Sequence, residues 1–353
     1  MNSLLHSRSI YVPLATVLAV GLFGYRRFVR WGIPRKTLRP SKKKRNENCK
    51  YITLSNGQNT FYRIYNEQNS QKFPFLILVH GFVGSSQYFL PLINALKENG
   101  RPCLAIDLYG RGHSDCPDID YTPANITKQI EELVIMLNIP KPFDMLGYSM
   151  GGACVAYFCA ANPTLIRSAT FLAPMGLSRA VNSAIPRLLY GLNFISKVLF
   201  GNAYTYLGEY VINFILLRDY HTSSSISSGW HNTKSERYQS FFRNMKMRLE
   251  TEKDRLSRSV CSLVMHMKSW ENMECKYQLI SDCPRKIPVL VLWGDRDKTL
   301  PIQTKRFKEL VPHAKIEVYE NHTHIFPIEY PEKVAQSMNK FFAESNLLIS
   351  NAV

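Results

Sequence analysis

Short, continuously apolar runs alternate with longer amphipathic segments along most of this chain of 353 residues. Phe75-Leu76-Ile77-Leu78-Val79 and Pro288-Val289-Leu290-Val291-Leu292-Trp293 have no polar interruption, the pattern of strands buried on both faces. Further strands are predicted near 102–107, 142–147, 167–172 and 315–319. Helices are predicted near 87–98, 123–137, 149–161, 302–310 and 331–344. Thr122 before Pro123 supplies an N-cap residue and a proline at the first helical position. Tyr51–Thr53 and Phe61–Tyr65 flank Ser55-Asn56-Gly57 and read as an antiparallel hairpin. The alternation predicts an α/β fold: a mostly parallel central sheet with helices on both faces.

Between about 175 and 286 the alternation lapses over a stretch too long for an ordinary loop. It contains the apolar segments 188–195 and 210–217, then Trp230, Phe241, Phe242, Met245 and Met247. A helical insertion is expected there. The organisation predicted is an N-terminal segment with a basic linker (1–48), a core in two halves (49–174 and 287–353), and the insertion (175–286) between them. One large domain with an insertion suits this length.

Chemistry enters where a predicted strand meets a predicted helix. Gly147-Tyr148-Ser149-Met150-Gly151 follows the run Phe143–Leu146 and fits G-x-S-x-G. The chain must turn sharply, and glycines either side of the serine remove side chains that would collide. Gly152 lets the helix approach the sheet closely. Upstream, the strand at 75–79 ends in His80-Gly81-Phe82-Val83-Gly84-Ser85-Ser86. Downstream, one strand runs into Gly294-Asp295-Arg296-Asp297, and the next is followed by His322 and His324. Serine, aspartate and histidine thus occur in the order Ser, Asp, His. Asp107-Leu108-Tyr109-Gly110-Arg111-Gly112-His113-Ser114-Asp115 fits a D-x-x-G-x-G-x-S loop.

On these four motifs the chain resembles the α/β-hydrolase superfamily over about residues 50–346, in particular its lid-bearing, membrane-anchored monoacylglycerol lipase and esterase-like members. The resemblance implies a serine hydrolase that cleaves a lipophilic acyl ester through an acyl-enzyme, with Ser149 as nucleophile. Of two aspartates, the family's G-x-x-D pattern selects Asp297 as the acid and leaves Asp295 as a turn residue. Of two histidines, a carboxylate five residues on (Glu329) and the following Tyr330-Pro331-Glu332 select His324 over His322. The chain departs from the family in carrying Thr323 where glycine usually precedes the histidine. Backbone N–H groups of Phe82 and Met150 are the implied oxyanion donors. His80 and His113 are expected to brace their turns, and the insertion to act as a lid. No cofactor or metal is implied. Alternatives are a prolyl-aminopeptidase-like peptidase, a carbon–carbon bond hydrolase, and a binding protein without catalysis on the same fold.

The formal net charge of +17 is unevenly placed. Residues 1–50 carry +11, residues 175–286 carry +7, and the remainder sums to −1. No nucleic-acid recognition motif accompanies this charge, which flanks apolar segments instead, so a membrane surface is the expected partner rather than nucleic acid. The uncharged run 10–25 is at the short edge for a spanning helix, which needs roughly 17–25 residues. Most of its flanking charge follows it, from Arg26 to Arg45. That asymmetry predicts a single-pass N-terminal anchor with the catalytic domain on the cytosolic side, in preference to a signal peptide or mitochondrial targeting segment. The eight cysteines show no C-x-x-C pair and read as core filling in a reducing compartment.

Overall fold

The structure is a computed structural model and describes residues 36–40, 49–97, 100–177, 209, 229–271 and 273–350. In chain order the strands are β1 (Cys49–Thr53), β2 (Asn59–Tyr65), β3 (Leu76–Val79), β4 (Cys103–Ile106), β5 (Phe143–Tyr148), β6 (Ile166–Leu172), β7 (Val289–Gly294) and β8 (Lys315–Tyr319). The helices are α1 (Leu90–Lys97), α2 (Pro123–Met136), α3 (Met150–Ala161), α4 (Glu236–Met265), α5 (Met267–Glu271), α6 (Glu274–Asp282), α7 (Thr304–Leu310), α8 (Phe326–Glu329) and α9 (Pro331–Ser350).

The strands form one sheet in the order β1-β2-β4-β3-β5-β6-β7-β8. β1 and β2 pair antiparallel, and β2 meets β4 antiparallel. From β4 to β8 every pairing is parallel. The hairpin, strands and helices fall where the hydrophobic pattern puts them. β3, β4, β5, β6 and β7 are buried at every position; β3, β4 and β7 accordingly read as unbroken apolar runs, while β5 and β6 also bury Asp144, Arg167, Ser168 and Thr170. The edge strand β8 alternates Lys315 and Glu317 with apolar residues and stays partly exposed. Thr122 caps α2, its hydroxyl accepting from Asn125 N–H at 3.3 Å. α1 packs on α9, while α2, α3, α6 and α7 form a second helical group. The sheet lies between these layers.

The sheet's order decides where chemistry can sit. The central neighbours β3 and β5 point their carboxyl ends the same way, as do β7 and β8, so four loops converge at one end of the sheet. At the opposite end a buried polar staple holds β5, β6 and the segment leading into β4. The fully buried Asp144 on β5 accepts from Arg101 (2.8 Å), Arg167 (2.7 Å) and Ser168 (2.5 Å). Arg101 also lies 3.9 Å over the Phe342 ring, which ties α9 to the sheet.

α4 is the longest described helix, at 30 residues. Its inward positions include Arg248, Glu252 and Arg255 as well as apolar residues. The single-pass anchor expected from the sequence must be corrected: among the described residues no helix is long and apolar enough to cross a membrane. α4 has the length but carries charged residues from Glu236 to Arg258. The run 10–25 and the basic linker lie outside the described residues, as do the apolar segments 188–195 and 210–217 of the insertion. All eight cysteines are free, and burial pushes the thiols of Cys103 and Cys154 up to about 12.

Candidate active site

The turn between β5 and α3 holds Ser149 at φ 56°, ψ −119°, a conformation that a non-glycine residue adopts only under constraint. The constraint is visible. Ser149 N–H donates to the Leu172 carbonyl on β6 (2.9 Å), and the Ser149 carbonyl accepts from Gly152 N–H (2.9 Å) and Met175 N–H (3.0 Å). A side chain on Gly147 would run into the backbone of Gly151. One on Gly151 would run into the carbonyls of Val79 and His80. The elbow therefore packs directly on the end of β3. Across this contact, a Cβ on Gly81 would stand 3.0 Å from Ser149 Cβ and 3.5 Å from its Oγ. Glycine there keeps the hydroxyl uncrowded.

The loop after β3 is braced from beneath by His80. This fully buried ring donates from Nδ1 to the Gly81 carbonyl (2.8 Å) and accepts at Nε2 from Leu108 N–H (3.0 Å). Burial pushes its pKa down to about 4, so it is neutral at physiological pH. His113 lies in the supported turn: its N–H donates to Asp107 Oδ2 (2.8 Å), while Ser86 N–H takes Oδ1 (2.6 Å). Phe82 lines the cavity above this loop. Met150 is the first residue of α3, and its N–H is among those a helix leaves without an internal partner.

His324 and Asp297 meet across the loops that follow β8 and β7. His324 Nδ1 and Asp297 Oδ2 are 2.7 Å apart. Asp297 Oδ1 accepts from Thr299 N–H (2.9 Å) and Leu300 N–H (2.8 Å), so the carboxylate is fixed at both oxygens. Tyr148, the second residue of the G-x-S-x-G motif, stacks on the His324 ring at 5.2 Å and donates its hydroxyl to the His324 carbonyl (2.9 Å). No feature of the motif pattern singles out that tyrosine.

The competing residues lie elsewhere. Asp295 is exposed, and its Oδ1 accepts from His322 N–H (3.2 Å), so it braces the histidine loop. His322 is buried with Nδ1 against the Glu320 carbonyl (2.5 Å), and its ring packs on Tyr319 and Tyr330. Glu329 accepts from His231 N–H (2.8 Å) and faces His231 Nδ1 at 3.2 Å. Thr323, at the departure from the family pattern, donates its hydroxyl to the Gly229 carbonyl.

A cavity of about 600 Å³ opens over Ser149 and His324. Its apolar wall comes from Phe82, Val83, Tyr88, Trp230, Phe241 and Met245. Arg296, Lys298 and Thr299 line it from the loop that carries Asp297. Phe242 packs against the core, and Met247 is exposed.

α4 reaches into this site from behind. The buried guanidinium of Arg248 donates to the carbonyls of Val83 (3.3 Å) and Gly84 (3.1 Å) and to both oxygens of Glu252 (3.0 and 3.1 Å). Glu252 Oε2 also accepts from Gly112 N–H (3.0 Å). Burial alone would lower the Arg248 pKa. The Glu252 carboxylate, together with Tyr88 and Asp107, outweighs it and holds the guanidinium above its usual value. Arg111, fully buried, donates to the Phe82 carbonyl (3.0 Å). Three consecutive carbonyls of the loop are therefore held by two arginines. In sequence, Arg248 and Glu252 look like an ordinary solvated i,i+4 pair.

Among the described residues no group of three or more His, Cys, Asp or Glu is placed to hold a metal ion. Residues 74–331 match the alpha/beta hydrolase fold family. Lipase 1 of Psychrobacter immobilis is 22% identical over 340 residues, covering 96% of this chain and 98% of that protein. Monoacylglycerol lipase ABHD6 of Mus musculus is 23% identical over 276 residues, 76% of each chain. Among solved structures, a hydrolase from Pseudomonas aeruginosa PA01 superposes with a TM-score of 0.63 at 17% identity, over 84% of this chain and 99% of that one.

Proposed function

The chain belongs to the alpha/beta hydrolase fold family as a hydrolase of the lipase and esterase type, and from that premise we propose that it cleaves a lipophilic acyl ester through a Ser149–His324–Asp297 triad. Ser149 Oγ attacks the ester carbonyl carbon while its proton passes to His324 Nε2. Asp297 accepts from Nδ1–H, fixes the tautomer and stabilises the imidazolium. The N–H groups of Phe82 and Met150 receive the oxyanion, each contributing on the order of 3 kcal/mol. Collapse breaks the C–O bond, and His324 returns the proton to the departing alkoxide. Water, deprotonated by His324, then releases the acid from the acyl-enzyme and restores Ser149.

The observation that carries this reading is the 2.7 Å pairing of His324 with a doubly anchored Asp297, on the cavity to which Ser149 is presented. The aromatic and aliphatic wall suits an acyl chain. We assign residues 175–286 as the lid, because α4 supplies Phe241 and Met245 to that wall. An aminopeptidase must hold its substrate's ammonium, yet no aspartate or glutamate is among the described residues lining the cavity. The ester reading is favoured for that reason.

The test is fluorophosphonate labelling with ester turnover. Wild-type protein is expected to label and to hydrolyse a short-chain ester, and Ser149→Ala to fold and do neither. Labelling of Ser149→Ala at the wild-type rate removes Ser149 from the mechanism, and an unlabelled, inactive wild type supports the non-catalytic alternative.

A further inference from the structure

The cavity over Ser149 is electrostatically one-sided. Arg296 and Lys298 both line it, together with His231 and His324, and no carboxylate does so among the described residues. Asp297, which lies between the two cations in sequence, is buried and turned to His324, Thr299 and Leu300. Asp295 interacts with Arg296, but its carboxylate is engaged by backbone N–H groups of the histidine loop, and it is not part of the lining. Lys298 has no ion-pair partner among the described residues. The residues of the two core halves are close to electrically neutral overall, at −1 outside 1–50 and 175–286, so this rim does not simply follow a basic core.

The positions of the cations matter as much as their number. They come from the loop that carries Asp297, on the histidine's side of the cavity. The apolar wall comes from the chain after β3 (Phe82, Val83, Tyr88), from Trp230 and from α4 (Phe241, Met245), while Ile325 and Ile328 add apolar lining from the chain that follows His324. In ester cleavage the histidine hands its proton to the leaving alcohol, so the leaving group lies on the histidine's side. An acyl chain along the apolar wall would therefore place the alcohol portion beneath Arg296 and Lys298. Cationic side chains beside a low-dielectric wall attract an anion more strongly than the same charges on an open surface.

We propose that the preferred substrate is an acyl ester whose alcohol portion bears a negative charge, a phosphate-bearing headgroup being the best match, and that Arg296 and Lys298 are its specificity-determining residues. This rests on the serine-hydrolase reading above and adds the leaving-group class. The acyl transfer itself is unchanged: the ester C–O bond breaks, the protonated alcohol leaves with its phosphate intact, and water supplies the oxygen of the released acid.

The experiment compares 1-hexanoylglycerol with 1-hexanoylglycerol 3-phosphate, both monomeric in solution, on the full chain. At low salt the wild type is expected to favour the phosphate ester at least ten-fold in kcat/KM, equivalent to about 1.4 kcal/mol. In Arg296→Gln/Lys298→Gln, whose substituted side chains are exposed and so leave the core intact, that ratio should fall towards one. Raising the ionic strength to about 0.5 M should lower the wild-type ratio in the same direction, because screening weakens an exposed charge–charge attraction. Turnover of both esters without preference, or a ratio unchanged in the double variant, overturns the inference alone. Turnover of neither ester overturns the serine-hydrolase reading, and this inference with it.

Discussion

The Thr323 hydroxyl is bonded to the Gly229 carbonyl, so the residue preceding His324 is tied to the insertion itself, a few residues before α4 begins. Beside it, His231 bridges the Asn321 carbonyl and Glu329, and Arg237 donates to the Glu329 carbonyl and pairs with Glu332. Segment 229–237 is thus stitched to the loop that presents the imidazole. Thr323→Gly removes one stitch and adds backbone freedom next to His324. Its kcat on a soluble ester should fall roughly ten-fold through misplacement of the base. Thr323→Ser keeps the hydroxyl and should stay near wild type. Equal activity in Thr323→Gly would show that the tether does not position His324.

The two histidines should rank sharply. His324→Ala is expected to lower turnover by about 10⁴-fold, and His322→Ala by far less, since His322 is held away from the cavity by Glu320 and its aromatic neighbours. Steady-state kinetics on one ester decide it, and the reverse order would mean that the base has been misassigned.

Arg248→Ala leaves Glu252 buried without its cation and frees the carbonyls of Val83 and Gly84. A loss of about 3–5 kcal/mol in urea unfolding is expected. Arg248→Met/Glu252→Leu replaces the pair with apolar groups and should recover most of that loss, but not the two carbonyl contacts. Its kcat should therefore stay low while its stability returns. A double variant with fully restored kcat would assign the pair to stability alone.

His80 should make the fold sensitive to acid. Its folded pKa, about 4, is below the ordinary value of 6.5. The unfolded chain therefore binds the extra proton between those values. The stabilisation is complete above about pH 6.5 and is lost as pH falls through 4, at most roughly 3 kcal/mol. Unfolding free energies of wild type and His80→Gln, measured across pH 4–7, should converge on acidification. Parallel curves would argue against a buried neutral His80.

Asp144 is expected to be a stability residue without a catalytic role. Asp144→Ala strands Arg101 and Arg167 near the amino end of the sheet and should cost about 3 kcal/mol or more. The kcat of the protein that remains folded should be unaffected. A selective loss of kcat would mean that the two ends of the sheet are coupled.

The strands were legible because burial on both faces writes itself as unbroken apolar runs, as at Leu76–Val79 and Val289–Trp293. The pairing of His324 with Asp297, and not with Asp295, was likewise foreshadowed by spacing within the family pattern. Polar contacts between distant segments left no such trace. Arg248 and Glu252 look like surface residues until tertiary packing buries them, and Thr323 reads only as a departure from glycine. Asp144 sits in an apolar strand with nothing local to announce its two arginines, which lie 43 and 23 residues away. The membrane anchor was inferred from hydropathy and charge order alone, and no described helix has the combination of length and apolarity that it requires.

The hold of Arg248 on Val83 and Gly84 bears on how such enzymes can be recombined. A chimera that exchanged residues 175–286 wholesale for the corresponding stretch of a relative would carry away the side chain that steadies the recipient's own loop after β3. Grafts with junctions near 177 and 229 would leave α4 with its native loops and transfer only the intervening segment. Recombination boundaries in this chain are therefore set by which carbonyls a helix holds, and the limits of the insertion in the sequence are a poor guide to them.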